Sequence, residues 1–105
     1  MSSRMRRRMM DLETFNASLA DSQPPEGLER PLQALWWAAQ GDWDRAHRLA
    51  QAEPGARGAW VHAHLHREEG DLGNARYWYS RAGRPPAEGS LAAERQAIAA
   101  ELLGD

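Results

Sequence analysis

The chain has no cysteine and no lysine, and Thr14, Val61 and Ile98 are its only β-branched residues among 105. Without cysteine there is no disulfide framework, no thiolate-bound zinc and no thiol nucleophile. Side chains branched at Cβ are the usual strand builders, so their scarcity excludes a sheet domain. No apolar run approaches the ~20 residues that span a bilayer. There is no glycine-rich phosphate loop and no G-x-S-x-G, and the six serines lie apart from the histidines in sequence. No catalytic residue and no cofactor is therefore expected, and an enzyme is not the leading reading.

What is abundant points in one direction. Nineteen alanines and thirteen arginines accompany leucine, glutamate and glutamine, all residues that lose little on entering a helix. The composition implies an all-α fold, and the length suits one domain with a modest core. Five tryptophans need either that core or a partner.

The net charge of −2 hides an asymmetry. Arg4, Arg6, Arg7 and Arg8 give residues 1–10 a charge of +4, while the remainder sets 9 arginines against 15 acids. An acidic body argues against a nucleic-acid-binding domain, so nucleic-acid contact is expected only through the Arg4 to Arg8 tail. That tail reads as a disordered basic segment ahead of a single domain over residues 11–105. The segment after it, Asp11-Leu-Glu-Thr-Phe-Asn16, is no apolar signal-peptide core. A cytoplasmic protein without membrane contact is the expectation.

Apolar spacing and capping residues place about six short helices in antiparallel hairpins. Asp11 caps the first, which carries Leu12, Phe15 and Leu19 and ends at the Pro24-Pro25 break. A second starts near Glu29, tolerates Pro31 in its first turn and stops at Gly41. Asp42 caps a third, from Trp43 to Ala52. Glu53 to Gly58 reads as a loop before a fourth helix from Ala59 to Glu69. Asp71 caps a fifth that runs to Ala82, and Ser90 caps a last one bearing Leu91, Ile98 and Leu102.

Two segments align without gaps. Ala39-Gln-Gly-Asp-Trp-Asp-Arg-Ala46 lies over Glu68-Glu-Gly-Asp-Leu-Gly-Asn-Ala75, with Gly41 on Gly70, Asp42 on Asp71 and Ala46 on Ala75. In each, glycine ends one helix, aspartate caps the next, and alanine lets the pair approach closely. Gly70, Ala75, Tyr79 and Ala82 fall on a small, small, aromatic, small spacing. In these residues the chain resembles the tetratricopeptide-like helical repeats. That resemblance implies a two-repeat core, with hairpins at 30–57 and 59–86, closed by flanking helices. Separately, residues 60–83 resemble a stretch of small uncharacterised helical proteins with the pattern W-x-H-A-x-L-H-R-x-E-x-D-x-x-N-A-x-Y-W. This second resemblance implies no activity.

Candidate site residues lie on the second hairpin. His62, His66 and Glu69 share one face of the fourth helix, a workable spacing for a metal with an open position. The alternative is a pair of partly buried histidines hydrogen-bonded across the hairpin. His64 points to another side, and His47 lies in the other hairpin. On the fifth helix Asn74, Tyr77, Trp78 and Arg81 sit opposite its packing stripe. If they meet His62 and His66, they form a polar-aromatic groove for an anionic or peptide ligand; otherwise Trp78 fills the core and Arg81 pairs with a carboxylate. Trp36 and Trp37, about 100° apart on a helix, cannot both face one seam. The expected function is a non-catalytic module that binds a protein partner or self-associates. The alternative is a small ligand- or metal-binding protein using the groove.

Overall fold

The computed structural model describes residues 10–104, and their regular structure consists of six helices. These are α1 (Leu12–Ser18), α2 (Arg30–Ala39), α3 (Trp43–Ala52), α4 (Gly55–Glu69), α5 (Leu72–Ala82) and α6 (Leu91–Leu103). The Arg4 to Arg8 segment lies outside the described residues. No helix among those described is long and apolar enough to cross a membrane.

The repeated Gly-Asp pairs make one turn twice. Gly41 and Gly70 have φ of 86° and 89°, the left-handed region in which glycine carries no Cβ penalty. Asp42 and Asp71 follow with nearly equal dihedrals, φ −95°, ψ 78° and φ −91°, ψ 78°. Each backbone N–H bonds back into the helix just ended, Asp42 to the Trp37 carbonyl at 3.0 Å and Asp71 to that of His66 at 2.9 Å. Each carboxylate then accepts from the third residue of the next helix, Arg45 or Asn74. This turn folds α3 back on α2 and α5 back on α4. Asp11 and Ser90 cap α1 and α6 in the same way.

The start of α4 differs from the expectation. It begins at Gly55 rather than Ala59, so the connection from α3 shrinks to Glu53 and Pro54, and the two hairpins part there. Pro54 supplies the extended N-cap, with φ −77° and ψ 160°. Gly58, the last residue of the expected loop, lies inside the helix where α4 passes close to the end of α3. A Cβ there would stand 2.2 Å from the Glu53 carbonyl oxygen. Gly58→Ala is therefore expected to destabilise the protein by about 1–3 kcal/mol through forced separation of α3 and α4. At Gly73 in α5 a Cβ would meet nothing within 4 Å, so Gly73→Ala should stabilise by about 0.4–1 kcal/mol. Urea unfolding of both variants checks the pair, and wild-type stability for Gly58→Ala would contradict the close crossing.

α4 is the hub, in contact with α2, α3, α5 and α6. Val61 and Leu65 face the larger core with Leu32, Leu35, Trp36 and Ile98, while Ala63 joins Ala75 and Tyr79 in a smaller one. The two adjacent tryptophans differ in burial but border the same core. Trp36 is fully buried, and Trp37 lies edge-on to it at 4.9 Å, under the Arg45 guanidinium.

Candidate metal centre

Because α4 is surrounded, residues 61–66 are all buried, and its three histidines turn inward wherever the helix aims them. Residues four apart share a face, and residues two apart point about 200° apart. His62 and His66 accordingly face α3, and His64 faces α6.

On α3, Trp43, Ala46, His47 and Ala50 form an i, i+3, i+4, i+7 stripe. Ala46 and Ala50 are buried, and that stripe brings His47 against α4. His47 Nε2 lies 3.0 Å from His62 Nε2. The His47 and His66 rings are 5.3 Å apart, and those of His62 and His66 stack at 4.8 Å. One nitrogen from each of the three lies within 4.8 Å of the other two. A tetrahedral zinc with nitrogen ligands at 2.0–2.1 Å sets its donors about 3.4 Å apart.

The surroundings hold the imidazoles in place. His66 Nδ1 donates to Glu69 Oε2 at 2.8 Å, which fixes the tautomer and leaves the Nε2 lone pair as the one that could ligate a metal. Trp43 stacks on His47 at 4.7 Å, meets the edge of His66 at 5.9 Å, and donates its indole N–H to the Leu65 carbonyl at 2.8 Å. Trp78 covers the other side, stacked on His62 at 3.9 Å. Burial, then the neighbouring His47 and His66, push the His62 imidazole down to about 4. Burial and His66 also lower His47, against the opposing pull of Glu69 and Asp44. Neutral imidazole is the form that binds a metal.

The residues singled out from sequence are distributed as follows. His62 and His66 are together and His47 joins them, while Glu69 is hydrogen-bonded to His66. Glu69 and Asp71 form a second acidic group with His66, but both are exposed and Asp71 is engaged in capping α5. Trp78 reaches the histidines. Asn74 does not: its side chain donates to Asp71 at 3.3 Å. Tyr77 is exposed and its hydroxyl accepts from Arg81 Nη1 at 3.1 Å, so Arg81 has taken a phenol rather than a carboxylate. Arg81, Trp78 and His62 line a cavity of about 300 Å³ between the end of α3, the first turns of α4 and the last turns of α5.

His64 belongs to a different cluster. Its Nδ1 donates to Glu94 Oε1 of α6 at 2.8 Å, alongside Arg67 Nη1 at 2.9 Å, and the Tyr79 hydroxyl donates to Glu94 Oε2. Both His64 and Glu94 are buried, which makes this cluster a tie between α4, α5 and α6.

Sequence reasoning missed His47 and the role of Trp43. The signal was present in the stripe, since His47 stands four residues after Trp43 and one after the close-packing Ala46. Comparison with protein-family models, curated proteins and solved structures finds no match to this chain.

Proposed function

We propose that this is a small helical metal-binding protein that holds one divalent transition-metal ion, zinc foremost, on His47, His62 and His66. The observation that carries the reading is the three imidazole nitrogens converging within 4.8 Å. An all-nitrogen donor set suits zinc, copper or nickel rather than magnesium or calcium, which take oxygen ligands. Three protein ligands leave a position open, the pattern of sites that bind or activate a further molecule. The ion would also tie α3 to α4 and so join the two hairpins.

The interaction-module reading has less support on the described surface. Its large exposed apolar side chains are Leu72 and Tyr77 of α5, which stand about 140° apart around the helix and form no continuous face.

Zinc titration against a chromophoric chelator tests the proposal. One equivalent should bind, and zinc at a hundred times its Kd should stabilise the fold by about 2.7 kcal/mol. His47→Ala and His62→Ala should each abolish most of the affinity, and Glu69→Gln should reduce it by about tenfold or more through loss of the buttress. His47 is the least buried of the three, so His47→Gln serves if the α4 variant does not fold. Zinc affinity unchanged in the His47 variants, or no binding at all, would overturn the reading.

A further inference from the structure

We infer that a second cavity, between α2, α3 and the α1–α2 connection, binds the phosphoryl group of a small hydroxylated phosphate monoester on the guanidiniums of Arg45 and Arg48. None of the clustered histidines lines it, so this inference stands or falls independently of the metal reading.

The placement follows from helix spacing. Arg45, Arg48 and Leu49 stand at i, i+3 and i+4 and share one face of α3, and all three line an open cavity of about 400 Å³. Trp37 and Gln33 of α2 and Gln23 of the connection contribute to the same lining, which contains no acidic residue. Two arginines three residues apart on one helix face repel each other, and nothing in the cavity wall offsets that repulsion.

The state of these arginines sets them apart. Beyond the basic tail the chain has 15 acids for 9 arginines, and Arg30, Arg57, Arg67 and Arg84 are each paired with a glutamate. Arg48 has no ion-pair or hydrogen-bond partner among the described residues. Arg45 has the Asp42 carboxylate beside its Nε at 3.6 Å, too far for a hydrogen bond. Its guanidinium lies over the Trp37 ring at 4.1 Å, a contact that holds its plane and leaves the N–H edge for an acceptor.

The ligand class follows from what this lining can satisfy. One guanidinium fork is enough for a carboxylate. A phosphoryl group has three terminal oxygens and up to two negative charges, which match two guanidiniums at once. Gln33 Nε2 donates to the Leu28 carbonyl at 2.7 Å, so its Oε1 is the end that can accept from a ligand. A phosphate dianion has no proton to give that oxygen, whereas a hydroxyl on an ester does. The volume suits a small molecule.

Glycerol phosphate is the probe, with inorganic phosphate and acetate in parallel, each titrated into isotope-labelled protein and followed by nuclear magnetic resonance. The indole N–H of Trp37 and the amides of residues 45–49 should shift and saturate together. Glycerol phosphate should bind about fivefold more tightly than inorganic phosphate, and acetate about tenfold more weakly than inorganic phosphate. Arg45→Gln and Arg48→Gln should each weaken glycerol phosphate by about tenfold. Both residues are exposed, so these variants should fold. Arg76→Gln, which removes an exposed arginine of α5 outside this lining, should leave affinity within about twofold. Shifts that do not saturate, or that centre on other residues, would overturn the site. Equal weakening in Arg76→Gln would show general attraction of anions and would overturn it as well. Acetate equal to phosphate would overturn the phosphoryl assignment, and inorganic phosphate equal to glycerol phosphate would overturn the ester.

Discussion

Glu94→Ala is expected to destabilise the protein by about 3–5 kcal/mol, lowering its melting temperature by about 15–30 °C. Glu94 is 7% exposed and accepts from three donors on two other helices: His64 and Arg67 of α4 and Tyr79 of α5. Truncation leaves these three donors without their acceptor in a space closed to water, and orphaned buried donors cost more than their bonds contribute. Glu94→Gln keeps the shape and an acceptor oxygen but loses the charge, so it should cost markedly less. Burial pushes the Glu94 carboxyl up, but the hydrogen bonds from His64 and Tyr79, with that of Arg67, outweigh it and hold it below its ordinary value.

The sign of the pH dependence follows. A depressed carboxyl binds fewer protons folded than unfolded, so its contribution is complete above the unfolded value of about 4.3. It disappears as pH falls through the lower folded value. Stability of the wild type should therefore fall more steeply below pH 4.3 than that of Glu94→Gln. Parallel curves from chemical unfolding would show that this carboxylate is not the source.

Trp36→Ala should cost a similar amount, about 3–5 kcal/mol, for a different reason. Trp36 is fully buried in the larger core with Phe15, Leu35 and Ile98, and deletion leaves a cavity that rigid helices do not close. Its indole N–H also donates to Ser18 Oγ at 3.0 Å, and that hydroxyl donates to the Phe15 carbonyl at 2.6 Å. This chain of bonds pins the last turn of α1 to α2. Trp36→Phe keeps most of the volume and isolates the hydrogen bond, for about 1 kcal/mol. Hydrogen exchange should show α1 amides losing protection in Trp36→Phe before those of α4. Equal loss across the molecule would show that the bond does not act locally on α1.

The elements were legible because their boundaries are local events. Asp11, Asp42, Asp71 and Ser90 cap helices from their own side chains, and Gly41 and Gly70 end helices through their own backbone. The start of α4 was not legible, because Gly58 has two meanings in sequence. A glycine breaks an isolated helix, yet permits close crossing within a packed one, and the approach of Glu53 decides between them.

The site divides along the same line. Sequence by itself determined that the chain is helical, where the two Gly-Asp turns fall, and that His62 and His66 share a face, since each depends on neighbours within about one turn. Only the tertiary structure decided that His47 joins His62 and His66, that Glu69 hydrogen-bonds to His66, and that Trp78 and Arg81 reach the cavity beside His62 while Asn74 does not. These outcomes depend on how far α3 and α5 rotate against α4. That rotation is set by close packing at Ala46, Gly58 and Ala75, through contacts between helices that no local spacing encodes.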